Sequence, residues 1–398
     1  MSLLNALKRA RDEATVSSPF PITHLNSPSI FETKERLLGS VIRLEGVPFV
    51  TEGATTLNAL SHTLHAAIST IDERFICYVT SLRKKESSQL DGEFTSSFAK
   101  RINDKYHARF QHQALYKNSL YLTVILKGDT STQTAKSISW FKRILDVGSS
   151  ELQALRRLEN ISTLKNKLDQ LLSSLSKFKP TRLGDKDEQL GFSELIEFLS
   201  LIPNRGEGVR FKGIRQMPVL SKSIPHTFLD EACYPEGHLG QYVAAQQLLF
   251  GDYIQFQGAI KDDVEFGAML SVKKYGQTSA SIILDPLLSL DCEFIATHSF
   301  APIPRDAALK TIDVKRSKLN NAGDCGVSQI KALQQLEDNI ASELALLGHH
   351  HNTLMLIAPS IKLLEKAIND AVKAYAHSGF VVIKESLGLE PAFWAQIP

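Results

Sequence analysis

The sequence predicts a mixed α/β protein (α+β in the broad sense) of two layered α/β subdomains in series, joined by a long helix. Three observations carry that expectation. A chain of 398 residues exceeds what one ordinary core encloses. Short β-branched and aromatic runs alternate with helical periods on both sides of residue 180. Between them Ile161, Leu164, Leu168, Leu171, Leu175 and Phe178 recur at steps of three and four, the seam of one long helix.

In chain order, Lys8, Arg9 and Arg11 follow Leu3, Leu4 and Leu7 without the continuous apolar stretch or cleavage site of a signal peptide. Asp12 and Glu13 dilute that basic face, which favours a surface helix or arm over a membrane-lying helix. Residues 17–28 hold three prolines and no helical period, so residues 1–28 read as an extended arm. The first subdomain, 29–180, opens with strands at 30–33 and 40–44, the latter continuing through 47–50. A helix over 52–71 places Leu57, Leu60, Leu64, Ala67, Ile68 and Ile71 on one face. A strand at 74–81 with a charged end at 83–86, a helix at 94–110 and a strand at 119–126 complete the layer. The helix over 151–178 follows; internal packing is favoured over a coiled coil with another subunit, because three heptads are thin evidence for the latter.

The polar, glycine- and proline-punctuated stretch 179–191 marks the boundary, so the second subdomain is 181–398. A short helix at 192–201 stops at Pro203, and 204–215 is a glycine-rich basic loop. Strands are expected at 253–260, 266–275, 292–299, 352–358 and 380–384. A helical stretch at 305–347 is interrupted near 320–326, and another helix at 360–377 ends at Gly379. The final run, 389–398, contains two prolines and is expected to be extended or turning. It sets Phe393 beside Trp394, and adjacent aromatic rings are normally there to be buried, in this chain's core or against a neighbour.

Composition narrows the function classes. Net charge is +2, so no global field attracts nucleic acid or anionic lipid, and any basic surface is local. Cysteines 77, 233, 292 and 325 form no CxxC pair, which points to reduced thiols in a cytoplasmic protein. No apolar run approaches a bilayer span. No glycine is followed by lysine, so no P-loop can cradle phosphates, and Gly206, Gly208 and Gly213 do not sit between a strand and a helix start.

Metal ligation fares no better. His349, His350 and His351 alternate faces at the start of a strand, and His226, Cys233 and His238 lack a fourth ligand. His62 and His65 share a helix face, where packing or capping is the plainer role. Asp262, Asp263 and Glu265 read as a polar turn; Cys292 and His298 share a strand face but lie about 20 Å apart along it. The expected catalytic, cofactor and metal residues are therefore none. Arg205, Arg210, Lys212 and Arg215 leave one alternative, a nucleic-acid or acidic-partner module built on loop 204–215.

A resemblance adds to this reading. Leu284-Asp285-Pro286-Leu287-Leu288, Glu293-Phe294 and Thr297-His298-Ser299-Phe300 resemble a stretch of the large type IV secretion and conjugation ATPases of the CagE/TrbE/VirB type. The likeness continues through Ser328-Gln329-Ile330 with Leu333, Gly348-His349-His350 before Thr353-Leu354, and Gly379-Phe380. It ends at Leu389-Glu390 and Ala392-Phe393-Trp394-Ala395-Gln396-Ile397-Pro398, and extends more loosely over Leu120-Tyr121-Leu122-Thr123-Val124.

The resemblance implies an N-terminal region that docks an ATPase motor at the cytoplasmic face of the inner membrane. Its implied partners are inner-membrane subunits, its own C-terminal ATPase domain, other secretion ATPases and further copies in a hexameric arrangement. ATP and Mg belong to the full-length protein, and no ATPase residue carries over to this chain. Phe393, Trp394 and Pro398 become candidates for the junction with that motor.

Overall fold

A computed structural model of the chain describes residues 16–47, 52–86, 94, 96–110, 115–127, 150–210, 239–260, 262–276, 283–321, 327–342 and 344–398. The strands are β1 (Ile22–Ser27), β2 (Ile30–Thr33), β3 (Leu38–Leu44), β4 (Phe75–Glu86), β5 (Leu115–Leu126), β6 (Pro180–Arg182), β7 (Gln247–Phe250), β8 (Ile254–Gln257), β9 (Val264–Lys274), β10 (Glu293–Pro302), β11 (Gly348–Ala358) and β12 (Val381–Lys384). The helices are α1 (Ala54–Ser69), α2 (Ser97–Phe110), α3 (Ser150–Ser174), α4 (Asp187–Leu190), α5 (Glu194–Leu199), α6 (Arg305–Asn321), α7 (Val327–Ala341), α8 (Ile361–His377) and α9 (Leu389–Trp394).

Among the described residues all twelve strands join one sheet in the order β1-β2-β3-β5-β4-β10-β11-β9-β8-β7, with β6 added to β3 and β12 to β9. Every pairing is antiparallel. The seam lies between β4 and β10, in register from Arg83–Phe294 to Cys77–Phe300. Strands from before and after position 180 thus share one continuous hydrogen-bonded layer, a junction between strands some two hundred residues apart that no local pattern announces.

Alternation along the strands divides two cores. On the front face Ile295, Met269, Met355, Ile125 and Val41 pack under α5 and α9. On the back face Phe294, Leu354, Leu356 and Leu270 pack under α8. Further along the back, Ile42, Leu122 and Val124 meet Leu164, Leu168 and Leu171 of α3 and Leu175 just after it, four leucines that are wholly buried. The heptad-like seam of α3 therefore faces its own sheet. After Ser174 the chain tightens into a 3-10 turn (Ser176–Phe178), and Lys179 at φ 48 reverses it into β6. The α6–α7 hairpin forms a satellite core around Ala308, Ile312 and Ile340.

β6, α4 and β7 are additional to the sequence reading, and two further elements differ from it. Within the proline-punctuated arm, Ile22–Ser27 is an edge strand on β2, with Phe20, Ile22 and Leu25 buried; Pro21 and Pro28 lie outside it and cost no ladder hydrogen bond. The expected extended stretch 389–398 begins instead as helix α9. Pro391 sits in its first turn, where the missing N–H has no helical partner to lose, and Ala392 N–H donates to Gly388 O (2.9 Å). The expected continuation through 48–50 lies outside the described residues.

Candidate domain-junction site

The last ten residues fasten onto the front face. Phe393 is fully buried, its ring 5.4 Å from Phe250 and 6.3 Å from Phe256 of the β7–β8 hairpin. Trp394 stands edge-on to Phe393 at 4.9 Å and is only half-buried; its indole N–H donates to the exposed Glu390 carboxylate at 3.3 Å. Pro398 is buried with Ile397 against Phe198, Leu201 and Ile202. Phe393 and Pro398 are thus core, while Trp394 keeps a free edge. Just before α9, Leu387 is fully exposed.

Gln396, wholly buried, reaches into the sheet beneath: its amide donates to Ile295 O at 3.1 Å and to Thr353 Oγ1 at 3.2 Å. The resemblance includes Gln396 in its terminal run but gives it no role. It lies on a cross-strand row of hydroxyls, Ser271, Thr353, Thr297 and Thr80, placed side by side by the registers of β9, β11, β10 and β4. Among the described residues, the hydroxyls of Thr80, Thr297 and Ser271 and the Gln396 Oε1 have no hydrogen-bond partner. Unpartnered polar atoms at this depth cost stability that an all-apolar layer would not lose.

The back face carries a second surface. Leu57, Leu60 and Leu64 of α1 face Leu284, Leu287 and Leu288 across a cleft of about 390 Å³, floored by Phe294, Ala296 and His298. Leu284, Leu287 and Leu288 of one run singled out by resemblance thus meet His298 of another. Beside the cleft runs a hydrogen-bonded chain. Buried Tyr375 O–H donates to Asn352 Oδ1 (2.9 Å), and Asn352 Nδ2 donates to His298 Nε2 (3.1 Å). His298 Nδ1 lies 3.3 Å from His350 Nε2, with ring planes 24° apart, and His350 Nδ1 lies 2.8 Å from Tyr275 Oη. The Asn352 amide lies within reach of both His298 ring nitrogens, 3.1 Å from Nε2 and 3.3 Å from Nδ1, and an amide N–H finds an acceptor there only on a neutral imidazole. Burial, with His350 close by, holds His298 protonation down to about 4.

The remaining sequence candidates are placed as follows. Cys292 is buried and burial pushes its thiol up to about 12; it stands just before β10, six residues from His298, so no dyad forms. The register of β10 and β11 sets His298 opposite Asn352, with His350 on the same face and His349 and His351 on the other. His62 and His65 are exposed rather than packed. Asp263 and Glu265 are more than a polar turn: Arg205, at φ 58, bonds Asp263 at 3.0 Å and lies 3.6 Å from Glu265. Arg210 pairs with Glu197 at 3.1 Å and stacks on Phe192. The two described cations of the basic loop are therefore already engaged by acids of this chain. Lys212, Arg215, His226, Cys233 and His238 lie outside the described residues.

Among the described residues no group of three His, Cys, Asp or Glu side chains is placed to hold a metal ion, and no helix is long and apolar enough to cross a membrane. What the geometry offers is apolar packing surface on both faces of one sheet.

Comparison with known proteins gives that surface a family. Residues 181–398 match the model of the CagE, TrbE, VirB family, component of type IV transporter system, and residues 29–133 match the type IV secretion system ATPase VirB4/TrbE N-terminal domain. The chain belongs to the CagE/TrbE/VirB family. It is 29% identical over 95% of its length to type IV secretion system protein virB4 of Bartonella quintana, 45% of whose length is covered. It is 26% identical over 95% of its length to protein virB4 of Rhizobium radiobacter, covering 44% of that protein. With type IV secretion system protein CagE of Helicobacter pylori the identity is 21% over 94% of this chain and 36% of that one. The chain spans less than half the length of these relatives, aligned with a family whose N-terminal domain is that of an ATPase.

Proposed function

We propose that this chain is the non-catalytic docking and assembly region of a type IV secretion ATPase. It anchors the motor to inner-membrane subunits at the cytoplasmic face and helps arrange the motors, hexamerically, beside other secretion ATPases. ATP and Mg are bound by the remaining length of such a protein and none by this region; the full protein spends hydrolysis on substrate secretion, conjugative DNA transfer or pilus assembly. The observation that carries the reading is the clasp: Phe393, Gln396 and Pro398 lock the run 389–398 onto the sheet, while Trp394, Glu390 and Leu387 stay at the surface where a following domain would bear.

The test is nucleotide turnover with and without the rest of the protein. The 398-residue chain is expected to hydrolyse no ATP, and measurable turnover by it overturns the proposal. In the full-length protein, Trp394→Ala should impair ATP hydrolysis and expose the junction to protease. The nucleic-acid alternative requires binding that falls steeply with salt; the engagement of Arg205 and Arg210 by carboxylates weighs against it.

A further inference from the structure

The back-face cleft is walled by leucines that no core takes up. Among the described residues, Leu57, Leu60 and Leu64 belong to none of the four buried clusters, and Leu64 is 36% exposed. Of the 16 residues of α1 only Ala67 is buried, where the end of the helix reaches the core shared with α3. Helices of globular proteins normally owe their stability to an apolar face packed on a neighbour. The first half of α1 turns that face to an open cleft instead. From Ala54 to Ser69 the helix also holds no Asp, Glu, Lys or Arg. Solvated helix faces are normally charged, whereas the centres of protein interfaces are depleted of charge.

The opposite wall is of the same kind. Leu284 precedes a 3-10 turn, Asp285–Ser289, and with Leu287 and Leu288 it faces the leucines of α1. Leu57 to Leu64 extends over about 10 Å, two turns of helix. Asp285 is the one Asp, Glu, Lys or Arg among the described lining residues; it is exposed, and among the described residues no hydrogen bond or ion pair engages its carboxylate. Glu45 and Lys179, close in sequence to the lining residues Val47 and Phe178, pair with each other at 3.9 Å. His298 on the floor is neutral above about pH 4 and adds no cation. The cleft is therefore apolar on both walls, with one unpaired negative charge beside it.

We infer that this cleft is a docking groove for an amphipathic helix of a partner protein, whose apolar side chains enter between the leucine walls and whose Lys or Arg meets Asp285. A helix fits because it satisfies its own backbone hydrogen bonds. An extended segment would find no strand edge there, since β10 on the floor is already paired on both sides, to β4 and β11. Anchors at i, i+3 or i+4 and i+7 span the same two turns as Leu57, Leu60 and Leu64. Charge complementarity selects a basic helix, because covering the cleft without a cation leaves the Asp285 carboxylate desolvated and unpaired. The α1 of a second copy, which has no Lys or Arg, does not supply that cation. The groove goes beyond the junction proposed above, which lies on the opposite face of the sheet.

The test is fluorescence anisotropy of a labelled synthetic helix of about 14 residues, leucine on one face and lysine on the other, titrated with the 398-residue chain. A counterpart peptide carries glutamate for every lysine. Wild type is expected to bind the lysine peptide about tenfold more tightly than the glutamate one. Leu60→Glu with Leu64→Glu should weaken binding about a hundredfold. Asp285→Lys should reverse the preference between the two peptides. The thermal midpoint of each variant should stay at the wild-type value, which separates lost docking from lost folding; Asp285, being exposed, supplies the variant that leaves the cores untouched.

Absence of binding to the lysine peptide by wild type overturns the inference, as does wild-type binding by the Leu60/Leu64 variant or equal affinity for the two peptides. Self-association that the Leu60/Leu64 variant abolishes, with no peptide bound, would make the cleft a contact between copies instead. The two readings fail separately: unchanged hydrolysis by a full-length Trp394→Ala variant removes the proposed junction without touching peptide binding in the cleft.

Discussion

Neighbouring residues 393 and 394 carry opposite consequences. Phe393 fills the front core between Phe250 and Phe256, so Phe393→Ala should cost about 3–5 kcal/mol, read as a lowered urea midpoint of this chain. Trp394 leaves one edge to solvent and one hydrogen bond to an exposed carboxylate, so Trp394→Ala should cost under about 2 kcal/mol here. A loss from Trp394→Ala equal to that from Phe393→Ala would show that Trp394 is simply core. The pairing of two aromatics was plain in the sequence; which of them keeps a free edge depends on the β7–β8 hairpin, whose position the local sequence does not encode.

His298 supplies a pH dependence. Burial depresses its folded-state pKa to about 4, below the ordinary 6.5. The unfolded chain therefore takes up the proton first. Stability is present in full above about pH 6.5 and falls as pH drops toward 4, by on the order of 2–3 kcal/mol. Urea midpoints measured across that window should decline for wild type and flatten for His298→Phe, beyond the general slope set by the carboxylates. Parallel slopes in both proteins would show that His298 does not titrate against the fold.

At the level of elements, α3 settles which of two readings its leucine series obeys. Leu164, Leu168, Leu171 and Leu175 are spent on β3 and β5, so Leu168→Ala should lower stability by about 2–5 kcal/mol and leave the oligomeric state as it was. Leu158, 61% exposed on the same helix, should tolerate Lys within about 0.5 kcal/mol. Sedimentation and denaturation of both variants check this. The seam itself was legible because helical periodicity is local; whether it met a sheet or a second helix was not, since both present the same apolar demand. The same limit explains α9. Proline-based reasoning weighs the lost N–H everywhere alike, whereas in a first helical turn that N–H has nothing to bond.

For the whole molecule, the β4–β10 seam is decisive. The front core draws on residues from Phe20 to Ile397, and the back cores continue one another beneath α3 and α8. Unfolding should therefore be a single transition, with tryptophan fluorescence and far-ultraviolet circular dichroism giving coincident curves. Two separated transitions would mean that the sheet does not couple the segments on either side of residue 180.

The candidate site was only partly readable for the same reason. The runs 284–288 and 297–300 could be picked out one by one, yet the meeting of Leu284, Leu287, Leu288 and His298 with Leu57, Leu60 and Leu64 across the cleft needs the seam. Gln396 appeared only as one residue of the terminal run, its role hidden because a buried amide is recognised only by the carbonyl and hydroxyl it finds. Arg205 looked like free positive charge until Asp263 and Glu265 came to it from 58 and 60 residues away.

Most strands and helices, and the family to which the chain belongs, were set by the amino-acid sequence alone, through periodicity, turn chemistry and short runs of matching residues. Strand order, the union of all strands in one antiparallel sheet, the burial of Phe393 beside a half-free Trp394, and the leucine-walled cleft beside α1 were decided only by tertiary structure. Those outcomes depend on which distant segments bury each other's apolar faces, and a hydrophobic pattern states only that a face must be covered, never by what.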